Sequence, residues 1–348
     1  MHKSFLFYFF HIILVNKIYS TLIMERVNMS SIRSRLFVFV LKYRHLLRFQ
    51  LKRTSFVDSK TSIPRLREEV ERGAGFFGKL PPGFELQPVS INGLKAEWMF
   101  PPSAQKEKAI LYFHGGGLVV GSVRAHRSIV AKFVKGSGIG ALVFDYALAP
   151  EHPFPEGLND SIAAYKYLLA EGIKPAKIVF AGDSGGGNLC LATMLALKDK
   201  GIPLPAAAVV LSPWTDLKNT GESLITNLEL DTLCWKDAQE VFAKYYAGEN
   251  DPGLPLISPL YGDLKGLPPL LIYAGSDELL RDDSTRFAAK ARDASVDVTL
   301  RIGKGLFHCY PACSPLFPEA KQAMDEICAF INSYADPKPT EPEPKFLP

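Results

Sequence analysis

Short runs of consecutive apolar residues recur along the chain, each followed by a longer stretch whose apolar positions have helical spacing. Ala109-Ile110-Leu111-Tyr112-Phe113 is a run of the first kind, and Asn188 to Lys198 a stretch of the second. A run apolar at every position reads as a strand buried on both faces. The pattern predicts strands near 94–100, 108–113, 140–145, 177–181, 206–211, 269–274 and 296–302, and helices near 122–135, 157–171, 186–199, 282–294 and 315–334. This alternation implies an α/β fold, a mostly parallel sheet with helices on both faces. Ligands bind such sheets at the carboxyl ends of the strands. Residues 214–258 interrupt the alternation with a helical insertion, Leu233 to Tyr246, and Pro-rich connections.

Two of the connections carry chemistry. Gly182-Asp183-Ser184-Gly185-Gly186 lies between the strand Lys177-Ile178-Val179-Phe180-Ala181 and the helix that follows. In that setting G-x-S-x-G is a nucleophile elbow, which holds the serine on a strained turn with its hydroxyl exposed. Glycines flank it because a Cβ there would strike the neighbouring strand or helix. The helix N-terminus at Ser184 favours developing negative charge. About seventy residues upstream, the strand Ala109–Phe113 ends in His114-Gly115-Gly116-Gly117, a glycine-rich loop of the kind that gives backbone N–H groups to an oxyanion hole. The expected donors are the N–H groups of Gly115, Gly116 and Gly185. His114 reads as a residue that shapes the loop, not as a base.

With these motifs the chain resembles the hormone-sensitive-lipase-like family of α/β-hydrolase esterases. Further stretches carry the likeness: Asp145-Tyr146-Ala147-Leu148-Ala149-Pro150-Glu151-His152-Pro153-Phe154-Pro155, Leu211-Ser212-Pro213-Trp214-Thr215-Asp216-Leu217 and Ser258-Pro259-Leu260. It covers roughly residues 30–335 in the family's order. The resemblance implies hydrolysis of short- to medium-chain carboxylic esters with neither metal nor organic cofactor. It also implies a helical cap over the site and dimers through the sheet edge near 296–302. One departure is Gly185, where the family often has alanine.

A triad on this fold runs in the order Ser, acid, His. Of seven histidines, only His308, in Gly303-Lys304-Gly305-Leu306-Phe307-His308, lies late enough in the chain. Two acids compete for the middle place. Glu278, with Leu280, Asp282 and Asp283, fits the family's D-x-L-x-D-E pattern without a gap; Asp277 requires a one-residue insertion. Glu278 is the favoured acid and Asp277 the alternative. The expected reaction is two-step acyl transfer through an acyl-enzyme on Ser184. A lactone or an amide would use the same machinery. A ligand receptor of this fold would have lost the catalytic histidine, whereas Ser184, His308 and an acid are all retained. Asp160 and Asp216 precede the acid's place and read as structural hydrogen-bonders. Gly136-Ser137-Gly138-Ile139-Gly140 precedes a strand, so it reads as a helix-to-strand turn instead of a dinucleotide loop.

Composition sets the remaining bounds. The 348 residues, 47% hydrophobic, suffice for one α/β domain with insertions. Five cysteines without a C-x-x-C read as free thiols in a reducing, cytoplasmic compartment. The net charge of +4 conceals an asymmetry: residues 1–60 carry eleven Lys/Arg against Glu25 and Asp58, leaving the remainder acidic. An acidic body argues against nucleic-acid binding. Residues 32–53 combine Arg33, Arg35, Lys42, Arg44, Arg48, Lys52 and Arg53 with Ile32, Leu36, Phe37, Phe39 and Val40. A basic amphipathic helix of this kind serves as part of a cap or lies on an anionic membrane surface.

The expected organisation is an apolar extension over residues 1–28, with Met24 and Met29 as alternative starts, and an N-terminal cap segment over 29–80. A catalytic domain follows over 81–335, with its cap insertion near 214–258, and a disordered tail over 336–348.

Overall fold

The computed structural model describes residues 30–47, 57–58, 60–73, 80, 82–102, 105–234 and 236–335. The expectations for the extension 1–28 and the tail 336–348 lie outside the described residues.

Among the described residues two helices come first, α1 (Ile32–Leu47) and α2 (Ile63–Gly73). The main body then runs β1 (Glu85–Ile91), β2 (Leu94–Phe100), β3 (Gln105–Phe113), α3 (Val123–Ser137), β4 (Ile139–Phe144), α4 (Glu156–Ala170), β5 (Ile178–Asp183), α5 (Ser184–Asp199) and β6 (Ala207–Leu211). The insertion holds the single-turn helix α6 (Ser223–Thr226) and α7 (Lys236–Ala247). The chain closes with β7 (Leu270–Gly275), α8 (Arg281–Asp293), β8 (Val298–Gly303) and α9 (Pro318–Ala335).

The eight strands form one sheet in the order β1-β2-β4-β3-β5-β6-β7-β8. β1 and β2 pair antiparallel, β2 runs antiparallel to β4, and β3 to β8 are parallel. Every residue of β4, β5, β6 and β7 is buried, because helices cover both faces. Ile110, Tyr112, Val179 and Val209 face α3 and α9; Leu111, Phe113, Phe180 and Val210 face α4, α5 and α8. Hence these strands are apolar runs without alternation.

The apolar pattern passes over β1. Its sequence, Glu-Leu-Gln-Pro-Val-Ser-Ile, is half-exposed at the sheet edge, where Pro88 is tolerated for want of a ladder partner on one side. The signal that does mark the hairpin is Asn92-Gly93, with φ of 53° and 92°, the left-handed pair a tight two-residue turn requires. Gly138 ends α3 in the left-handed conformation, so Gly136–Gly140 is the expected helix-to-strand turn.

α2 is pinned across the carboxyl ends of the strands by Arg67, which donates to the carbonyls of Val119 (2.9 Å) and Ala149 (2.9 Å) and forks onto Glu151. A bidentate guanidinium fixes direction as well as position. Among the described residues no helix is long and apolar enough to cross a membrane.

Candidate active site

β5 ends at Asp183, and the chain turns into α5 at Ser184 with φ of 53°. That conformation is costly for any side chain except glycine and persists only where packing imposes it. The packing is visible at Gly186: a Cβ there would lie 2.1 Å from the Phe113 carbonyl oxygen at the end of β3. The turn leaves Ser184 half-exposed, facing a cavity of about 530 Å³. Gly116, Gly117 and His308 line the same cavity. Its walls come from Val57, Leu66 and Val70 on one side and Trp214, Leu233 and Phe242 on the other. The N-terminal segment and the 214–258 insertion thus both close over Ser184.

The glycine loop departs from expectation at one residue. Gly115 is not free to serve as an oxyanion donor, because its N–H already points at Asp183 Oδ1 (3.0 Å) and lies 3.2 Å from His126 Nε2. Continuing from β3, this amide is directed beneath the loop, where the buried Asp183 takes it together with the Tyr112 hydroxyl (2.8 Å). The next two amides are differently placed. Among the described residues neither the Gly116 nor the Gly117 N–H has an acceptor. Gly185, the second residue of α5, contributes an N–H from the unpaired first turn. The open donors are therefore those of Gly116, Gly117 and Gly185.

Asp183 anchors this arrangement. Burial alone would raise its carboxyl, but His126, 3.7 Å away, and the Tyr112 hydroxyl hold it below its ordinary value. The same carboxylate raises His126 against the burial that would lower it. His114 is fully buried, stacked on Tyr146 with ring centroids 4.2 Å apart, and burial pushes its imidazole down to about 3. Such a ring stays neutral and shapes the loop.

His308 follows β8 on a loop, 8% exposed at the cavity floor. Burial lowers its pKa below the ordinary 6.5, with Asp231 and Asp183 opposing. Glu278 faces it from the loop after β7, Oε2 standing 3.9 Å from Nδ1. That oxygen accepts the Ser212 hydroxyl (2.7 Å) and the Gly275 N–H (3.0 Å). Burial raises the Glu278 carboxyl to about 8 against the pull of those two donors. Asp277 takes no part in this contact: its carboxylate accepts the Ser276 hydroxyl at 2.6 Å.

Several residues the sequence reading passed over hold these groups in place. Ser212, at φ of 47°, donates to Glu278 and accepts the Cys309 N–H (2.9 Å), so it joins the acid to the residue after His308. It stands inside a stretch already conspicuous for its family likeness. Asn227 Nδ2 donates to the carbonyls of Ser276 and Glu278, both at 2.9 Å. Asp231 accepts the Leu279 N–H (2.8 Å) and, on its other oxygen, those of Leu233 and Cys234. The insertion thereby grips the acid loop. No spacing rule marks Asn227 and Asp231, since the atoms they hold on the acid loop are backbone atoms some fifty positions away.

Cys234 and Cys309 also line the cavity, and none of the five cysteines is in a disulfide. Burial pushes the Cys309 thiol well above its ordinary value, which leaves little thiolate to act as a nucleophile. Asp160 accepts the Ala147 N–H and Asp216 accepts from Lys218, Thr220, Tyr261 and Arg286, the structural roles expected of them.

Gly185 offers a local test. A Cβ there would lie 2.9 Å from Gly117 Cα, Gly117 N and Leu118 N, too close for backbone that cannot rotate away. Gly185→Ala should push the Gly116–Gly117 amides off their positions and lower kcat by about tenfold to a hundredfold, the scale of a 1 Å misplacement. Steady-state kinetics on a soluble ester checks this; an unchanged kcat would mean that the loop yields freely.

A family model described as the α/β-hydrolase fold matches residues 110–312. An acetyl-hydrolase of Streptomyces hygroscopicus is 39% identical over 269 residues, covering 76% of this chain and 87% of that protein. An esterase of Acinetobacter venetianus is 38% identical over 253 residues, covering 72% and 83%. Among solved structures, an esterase from the bacterial hormone-sensitive lipase family superimposes with a TM-score of 0.80 at 36% identity, over 88% of this chain and 100% of that one. A hormone-sensitive lipase from a metagenome library gives 0.79 at 33% identity, over 88% and 100%.

Proposed function

The chain belongs to the hormone-sensitive-lipase-like family of α/β-hydrolase esterases and is a carboxylesterase, and on that premise we propose that it cleaves short- to medium-chain esters through an acyl-enzyme on Ser184. The observation that carries this reading is the convergence, on one cavity, of a serine held at positive φ, a buried imidazole and, among the described residues, backbone N–H groups without an acceptor. Ser184 Oγ attacks the ester carbonyl carbon while His308 Nε2 takes its proton. The carbonyl oxygen becomes an oxyanion held by the N–H groups of Gly116, Gly117 and Gly185. Collapse of this intermediate expels the alkoxide, which leaves as an alcohol with the proton from His308. Water, losing a proton to His308, then attacks the acyl carbon; His308 returns the proton to Ser184 and the acid departs.

Glu278 completes the triad by stabilising the imidazolium that forms at each attack. Residues 29–80 and the 214–258 insertion act as the cap. Phe242 sits against Gly117, where a Cβ would come within 2.4 Å of its ring, and it bounds the acyl pocket beside the oxyanion site. The apolar wall of Phe242, Leu233 and Trp214 favours acyl chains that fit beneath it. For p-nitrophenyl esters from acetate to palmitate, kcat/KM should peak at butyrate to octanoate and fall at least tenfold by palmitate, about the effect of losing 1.4 kcal/mol of transition-state binding. A maximum at palmitate, or no hydrolysis at any length, would overturn the chain-length reading.

A further inference from the structure

Helix α1 carries apolar side chains on two opposite faces. The inner face docks on the body: Ser34 and Leu41 are buried, and Phe37 packs on Phe307 at 5.8 Å and on Phe317 at 5.4 Å. The outer face carries Ile32, Leu36 and Val40, which are 70%, 63% and 46% exposed. Four-residue spacing aligns them as one stripe along the helix. Single exposed apolar residues need no explanation, but three in register on a helix already anchored by its other side form a continuous surface.

The charges that α1 itself carries beside the stripe are all of one sign, and Glu319 of α9 meets the helix only at its N-terminus, through Ser31 and Ser34. At 100° per residue, Arg33 flanks it on one side and Arg35 and Lys42 on the other. Residues 30–47 contain no acid. The first 60 residues hold a balance of +9, whereas the rest of the chain, at −5, is acidic.

We propose that the outer face of α1 is a docking surface for an anionic lipid membrane. The helix lies flat, with Ile32, Leu36 and Val40 entering the boundary between headgroups and acyl chains while Arg33, Arg35 and Lys42 meet lipid phosphates. Its sixteen residues span about 24 Å. Charge decides between this occupant and a second copy of the chain. A two-fold contact through α1 would set the same basic flanks against each other, and like charges across an interface are disfavoured. An anionic bilayer complements these flanks and also repels the acidic body, so that only this end of the molecule settles on it.

The test is flotation of the full chain with vesicles of phosphatidylcholine alone and of phosphatidylcholine mixed with phosphatidylglycerol. Wild type should float with the mixed vesicles only. Ile32→Ser, Leu36→Ser and Val40→Ser combined should weaken binding at least tenfold, with an unchanged circular dichroism spectrum and melting temperature as the check on folding. Arg33→Gln, Arg35→Gln and Lys42→Gln should each cost about fivefold, the equivalent of 1 kcal/mol per basic residue near the surface. The proposal is overturned by equal binding to phosphatidylcholine alone, by no binding, or by a triple variant that floats like wild type. It is overturned equally by a dimer in sedimentation velocity that the triple variant dissociates.

Discussion

Ser184→Ala should lower kcat on p-nitrophenyl butyrate by at least about 10⁴-fold while leaving KM within a fewfold of wild type. In the proposed mechanism the serine oxygen forms the bond that carries the acyl group, so its loss removes the covalent route altogether. What remains is water attacking a carbonyl polarised by the Gly116, Gly117 and Gly185 amides, which are untouched by the substitution. Binding through the cavity walls persists for the same reason. Stability should change by no more than about 0.5 kcal/mol, because alanine at φ of 53° bears the same strain as serine. His308→Ala should cause a loss of similar size, and the double variant should be hardly worse than either single one. Residues acting as one unit fail together, and this non-additivity separates a catalytic pair from two independent contributors. A Ser184→Ala enzyme that kept more than a hundredth of wild-type activity in clean preparations would remove Ser184 from the nucleophile's place.

The legible parts of the molecule are those where a local pattern is forced by a long-range constraint. Parallel strands buried on both faces must be apolar throughout, so β3 to β7 stand out from sequence alone. The elbow must have small residues because Gly186 abuts the backbone of β3. β1 escaped notice because an edge strand with Pro88 and an exposed face need not be apolar. The glycine loop is legible as a string, but which of its amides are open is not. The string His114-Gly115-Gly116-Gly117 names three candidate amides, and only the buried Asp183 carboxylate, which captures the first, decides which stay open. The grip of Asn227 and Asp231 on the acid loop was illegible for a related reason. Hydrogen bonds to backbone atoms leave no complementary side chain at the other end to be read.

The choice between the adjacent acids rests on that same loop. Glu278→Gln should lower kcat by about 10³- to 10⁴-fold, and Asp277→Asn by less than about threefold. Asn227, Asp231 and Ser223 hold residues 276–279 through their backbone atoms, so the loop cannot rotate to present one carboxylate in place of the other. Glu278 is the one aimed at His308, fully buried; Asp277 is occupied with the Ser276 hydroxyl. Burial makes an isolated carboxylate at Glu278 costly, which is why its carboxyl is raised to about 8. An imidazolium forming 3.9 Å away offsets that cost when His308 takes the serine proton. The pH profile supplies an independent readout. Activity needs an unprotonated imidazole, and a carboxylate at Glu278 favours the protonated ring. Burial already holds His308 below its ordinary 6.5, with Asp231 and Asp183 opposing. Any movement of the acid limb of kcat/KM should therefore appear in Glu278→Gln and none in Asp277→Asn, since only the former changes a carboxyl that faces the ring. A limb that moved with Asp277 instead would reverse the assignment.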